Sequence, residues 1–155
     1  MTSRRLMVLV ASLALLLVAG CGATDDGLSD DMTEVLDSYE AVAIEGNAQA
    51  FVELFTEDGV QVDPHGSWPA ATTLEAHMID GFEWVDFESM ERESVLVDTE
   101  GVLNVEWLAT GMTGPPETGK EPFSTGMTAV FDVDNGLIAK SVLDWDTTEL
   151  YPSSE

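Results

Sequence analysis

Tyr39-Glu-Ala-Val-Ala-Ile-Glu-Gly46, then Phe51-Val-Glu-Leu-Phe55 and Val60-Gln-Val-Asp-Pro64, is the stretch whose reading decides the fold. Its first part continues a helical stripe. Met32, Val35, Leu36, Tyr39, Val42 and Ala43 recur at three- and four-residue steps and give the helix one apolar face. That helix is expected to begin near Asp31, whose spacing to Glu34 fits a capping box. Gly46 can end it, because glycine tolerates the positive φ of a helix terminus. Asn47 then offers a side-chain oxygen to cap a second helix that turns Phe51, Leu54 and Phe55 inward. Asp58-Gly59 reads as a turn, and Val60-Gln-Val-Asp63 alternates as a short strand that Pro64 closes. A third helix fits 72–82, with Leu74, Met78 and Phe82 at four-residue steps.

The second half changes period. Ser94–Asp98, Val102–Thr110, Ser124–Val133 and Leu137–Trp145 are rich in β-branched and aromatic residues and read as strands. Asp134-Asn135-Gly136 predicts a type I′ hairpin between the last two. Helices first and antiparallel strands second predict an α+β domain over 31–151, with helices on one face of a sheet. The chain has no internal repeat.

Ahead of that domain, Arg4 and Arg5 precede an uncharged apolar run from Leu6 to Gly20. This is the layout of a secretory signal, and it is short for a bilayer span. Val18-Ala19-Gly20-Cys21 resembles a bacterial lipobox. The resemblance implies a lipoprotein signal peptide over 1–20, cleavage before Cys21, and a diacylglyceryl group on the only thiol in the chain. Two acyl chains anchor stably where one does not. The expected location is therefore outside the cytoplasm, anchored to the cell membrane through lipid at Cys21. Residues 21–30 read as an acidic flexible tether and 152–155 as a tail. Ser3-Arg4-Arg5 suits either the twin-arginine or the general secretory route.

Beyond residue 20 the chain carries 30 acids against only Arg92, Lys120 and Lys140, a formal charge of -27. Nucleic acid is excluded as a partner, since it requires a basic footprint. Acids spread along the whole length suit a solvated surface in salt-rich surroundings. One cysteine and two histidines, His65 and His77, predict no metal site, and no cofactor is expected.

The opening stretch resembles the NTF2-like superfamily, which includes ketosteroid isomerases, limonene epoxide hydrolases and the SnoaL-like polyketide cyclases. Phe131 to Ile138, running on through Asp144-Trp145-Asp146, is similar to that superfamily's closing hairpin. The likeness covers about 31–151. It implies a cone, in which a curved antiparallel sheet wraps around N-terminal helices and encloses a pocket. Asp63-Pro64-His65-Gly66-Ser67-Trp68-Pro69 is similar to the Asp-Pro-x-Gly-Ser-x-Pro of ketosteroid isomerase. That resemblance implies Asp63 as a proton-abstracting base and Tyr39 as a donor to the developing oxyanion. It also places Ala129 where the family has a second, protonated aspartic acid, so half of the oxyanion hole is missing. The epoxide-hydrolase carboxylate–arginine–carboxylate set falls on Leu108, Glu106 and Leu143, none of them retained.

The same alignment turns Glu106, Leu108, Ala129, Leu143 and Trp145 inward; with Trp68 they form the expected ligand pocket. It sends Val105 and Trp107 to the opposite face, where a homodimer would form. Other readings stand beside these. Asp63 also suits a turn-stabilising acceptor before proline, and Tyr39 a core tyrosine. A one-residue slip of register would turn Glu106 outward. His65 and His77 read as surface or loop residues. Three functions follow: a pocket binding a small, largely apolar molecule; an isomerase- or cyclase-like enzyme using Asp63 and Tyr39; or a dimeric interaction module.

Overall fold

The computed structural model describes residues 27–151; the signal segment 1–20, Cys21, the tether up to residue 26 and the tail 152–155 lie outside the described residues. The described chain runs α1 (Asp30–Glu45), α2 (Ala48–Val52), β1 (Phe55–Asp63), β2 (Gly66–Pro69), α3 (Leu74–Trp84), β3 (Val85–Val97), β4 (Leu103–Thr113), β5 (Glu121–Asp134), β6 (Leu137–Trp145) and α4 (Thr147–Leu150).

The start of α1 differs from the capping box expected at Asp31. Ser29 is the N-cap, and its hydroxyl accepts from the Met32 amide at 3.2 Å. Leu28, inside the segment expected to be tether, packs against the core. Gly46 ends α1 at φ 70°, and Asn47 caps α2 by accepting from the Ala50 amide. The second helix stops at Val52 and the chain is already strand at Phe55. The expected Asp58-Gly59 turn is instead an irregularity within β1, where the pairing with β6 shifts between Phe55 and Val60. Gly59 is required there. A Cβ at this position would come within 2.8 Å of the Ile138 carbonyl oxygen.

Six strands form one sheet in the order β2-β1-β6-β5-β4-β3. All neighbours are antiparallel except β1 and β6, which run parallel. The expected Asn135-Gly136 turn is present, with φ 52° and 77°. β3 begins at Val85, well before the expected Ser94. Asp86, Glu88, Glu91 and Glu93 hide it from a propensity reading, because acids are depleted in strands. It forms one edge of the sheet, broken by register shifts at Phe87/Ser89 and Arg92/Ser94.

The facing of β4 corrects the sequence expectation. Leu103, Val105, Trp107 and Ala109 are buried at 0–1 % exposure, whereas Glu106 is exposed and Leu108 half-exposed. The register explains it. Val105 pairs with Ala129, and Ala129 with Leu143, so these three share one face. Glu106 pairs with Thr128 on the other face. Inward Ala129 and inward Glu106 are incompatible, and Val105 and Trp107 offer no dimer surface.

Trp107 explains which alternative wins. Its ring stacks on Tyr39 of α1 at 5.9 Å and meets Phe131 edge-on at 6.1 Å. Its indole N–H donates to Glu40 Oε1 at 2.6 Å. Arg92 of β3 closes the cluster, donating to both Glu40 oxygens and to Asp37 at 2.5–2.8 Å. One carboxylate thus ties α1 to two strands. Glu40→Ala strands an indole donor and a half-buried guanidinium. It is expected to lower stability by about 2–4 kcal/mol in urea unfolding. Glu106→Gln on the outer face should change it by less than about 0.5 kcal/mol.

Candidate functional site

The inner face of the sheet and the helices α1, α2, α3 and α4 line a cavity. Its volume is about 50 Å³. The walls are apolar: Phe51, Met78, Phe82, Phe87, Met90, Met127 and Leu143 contribute most of them. The polar groups, Tyr39, Gln61, Asp63, His77 and Tyr151, come from three separate elements and the chain after α4. A small apolar chamber with a few convergent polar groups is the usual form of a ligand site.

Asp63 is its centre. The side chain has no exposed surface. Oδ1 accepts from the amides of His65 (2.9 Å) and Gly66 (3.2 Å), which forms the turn into β2. Oδ2 accepts from His77 Nε2 at 2.7 Å and from Gln61 Nε2 at 3.4 Å. Burial is the largest influence on this acid and pushes its pKa up. The bonds from His77, Trp68 and the His65 amide, with the histidine's charge, outweigh burial and hold the carboxyl below its ordinary value. The Trp68 indole N–H aids without closing a full hydrogen bond.

His77 is the residue that the sequence reading left on the surface. It lies on α3, three residues after Leu74 and one before Met78, on the same inward stripe. Its ring stacks on Trp68 at 3.9 Å and 4°, so β2 clamps one side of the imidazole while Asp63 binds the other end. The stripe itself was the missed signal, since a residue at i+3 from a buried leucine shares its face. Nε2 is engaged by Asp63, which leaves Nδ1 as the nitrogen open to a ligand.

Tyr39 and Tyr151 look onto the same chamber. Burial first, and the Asp63 charge second, raise both phenols; Tyr151 is pushed up to about 12 and Tyr39 higher still. Both are therefore neutral donors at any physiological pH. Of the expected pocket residues, Leu143 and Trp145 line the chamber and Trp68 supports it through His77. Ala129 faces inward, buried behind the lining. Glu106 and Leu108 are on the outer face and take no part. Among the described residues, no group of three His, Cys, Asp or Glu side chains is placed to hold a metal ion.

The model of the SnoaL-like domain matches residues 35–141. The chain belongs to the SnoaL-like family. A search of curated proteins returns no match. Among solved structures, a candidate isomerase from Bacillus subtilis is similar at TM-score 0.70 and 18% identity, covering 80% of this chain and 94% of that one. A Catenulispora acidiphila protein of ketosteroid isomerase-like fold, solved with trimethylamine, gives 0.64 and 14%, covering 76% and 88%. A candidate SnoaL-like polyketide cyclase from Shewanella denitrificans gives 0.62 and 13%, covering 76% and 91%. At such identities the likeness speaks for the fold alone. It agrees with the α+β cone of the SnoaL-like domain.

Two titrations check the electrostatics. Phenolate absorbance should show neither of the two tyrosines ionising near the ordinary value of about 10, and one of them, Tyr151, ionising at about 12. Asp63 has a lowered folded pKa, so its contribution is complete above the unfolded value of about 4 and is lost as pH falls through the folded one. Acid denaturation of Asp63→Asn should therefore lose the part of the wild-type pH dependence that lies below about pH 4.

Proposed function

We propose that this chain is a small-molecule binding domain, taking a compact, largely apolar ligand into the chamber between the helices and the inner face. The observation that carries this reading is the enclosure itself. Apolar walls meet Tyr39, Asp63, His77 and Tyr151 at one end, and the space suits a ligand rather than a solid core. The trimethylamine in the Catenulispora acidiphila relative supports a small occupant. Filling the chamber tests the proposal. Leu143→Trp should abolish the thermal shift and the chemical-shift changes given by any ligand from a panel of small alcohols, ketones and amines. A panel without a single binder to the wild type removes the proposal.

A second reading, catalysis, is favoured by the Asp63–His77 pair. The pair supports a division of labour unlike that implied by ketosteroid isomerase. Asp63 has its oxygens occupied by four donors and its basicity lowered, so it suits a positioning role. His77, whose Nδ1 is the nitrogen not bonded to Asp63, suits proton transfer next to a carbonyl, and Tyr39 or Tyr151 could donate to the oxygen that gains charge. Ala129 supplies no such donor. For an activated enone, His77→Ala should lower kcat by about 10²–10⁴-fold. Turnover unchanged in that variant removes catalysis through this pair.

The same proposal places the domain outside the cytoplasm on a lipid at Cys21, on the strength of Val18-Ala19-Gly20-Cys21. Cys21→Ser should yield either an uncleaved precursor or released protein, with an unchanged melting temperature. A serine variant still processed and lipid-labelled would show that the anchor is elsewhere.

A further inference from the structure

We propose, building on the small-molecule reading above, that the chamber selects a small protonated amine: an ammonium ion with at least one N–H, seated among aromatic side chains and hydrogen-bonded to Gln61. Three observations lead there.

The first is charge. The chamber lining holds one acid, Asp63, one histidine, and no lysine or arginine. The basic side chains nearby are committed elsewhere: Arg92 to Glu40 and Asp37, and Lys120 to Asp86. A buried anion would meet a carboxylate, with only His77, already bonded to that carboxylate, and neutral donors to offset it. A cation would meet that carboxylate's field, which already reaches Tyr39 and Tyr151 strongly enough to oppose their ionisation.

The second is the wall. Tyr39, Phe51, Phe82, Phe87, Trp145 and Tyr151 surround the space. Aromatic rings attract a desolvated ammonium group that reaches their faces. The room is small, about 50 Å³, or roughly three to five waters. A branched amine of about five non-hydrogen atoms is in proportion to it.

The third is Gln61, which is 2 % exposed. Its amide orientation is fixed, because Nε2 faces Asp63 Oδ2 at 3.4 Å and the Met78 sulfur at 3.7 Å. Turning the amide over would set Oε1 against the carboxylate. Oε1 is therefore an acceptor, and it has no hydrogen-bond partner in the protein. Buried acceptors are rarely left so. An ammonium N–H completes this one, whereas a quaternary ammonium has no hydrogen to give.

Four probes separate these contributions: tert-butylammonium, tetramethylammonium and tert-butanol, which are of nearly equal bulk, and the somewhat larger anion pivalate. Each is titrated into the full chain and followed by chemical shifts of the chamber methionines. The expected result is tightest binding for tert-butylammonium, at least about tenfold tighter than tert-butanol, with pivalate weakest. Gln61→Met removes the acceptor at similar bulk. It should bring tert-butylammonium and tetramethylammonium to within about twofold of each other. Equal binding of tert-butanol and tert-butylammonium, or preferred binding of pivalate, overturns amine selectivity and leaves the small-molecule reading standing. A tetramethylammonium affinity equal to that of tert-butylammonium in the wild type overturns the role of Gln61. Absence of binding by all four probes and by the wider panel overturns both proposals.

Discussion

A carboxylate taken out of water must be met by donors, and this fold is organised around meeting that demand at Asp63. The two amides on Oδ1 form the turn that folds β2 back onto β1. The histidine on Oδ2 draws α3 against the same corner. Without those bonds the side chain would be a buried, unmatched charge, and the β1–β2 hairpin would have no fixed relation to the helix. Geometry at this corner of the chamber and ionisation of the acid are therefore one property. Each donor that shapes the corner also makes Asp63 a weaker base.

Glu40 solves the same problem at the other end of the core with different donors. Arg92 and the Trp107 indole neutralise it, so the second semi-buried acid becomes a brace between α1 and two strands. Between the two acids lie the aromatic rings. Tyr39 touches Phe51, Trp107 and Phe131 at centroid distances of 5.0–5.9 Å while its edge borders the chamber. One tyrosine serves as core and as lining. The readings of Tyr39 as packing residue and as oxygen donor are thus not rivals.

The helices, the final hairpin and the α+β class were legible because they are local: a stripe of apolar residues, a Gly46 terminus, an Asn135-Gly136 turn. Asp63 and Tyr39 were legible through their resemblance to a family motif. What sequence could not carry was the facing of β4. Glu106 and Trp107 sit side by side, and alternation says only that they oppose each other; the choice was made by α1, whose Tyr39 and Glu40 give Trp107 both a stacking face and an acceptor. His77 was obscured for a related reason. Its partners Asp63 and Trp68 are 14 and 9 residues away in the chain, and only the packing of α3 against the β1–β2 hairpin unites them.

The acidic edge strand β3 bears on how copies of this protein avoid one another. A thirteen-residue edge is a long template for strand addition. Asp86, Glu88, Glu91 and Glu93 guard it by repulsion, and the two register shifts guard it by bending the backbone out of line. These safeguards differ in what disarms them. At about 1 M salt the Debye length falls to about 3 Å and the acids on neighbouring edges no longer sense each other. The bends are indifferent to salt. In brine the shape of β3, more than its charge, keeps the sheets of separate molecules from zipping into one.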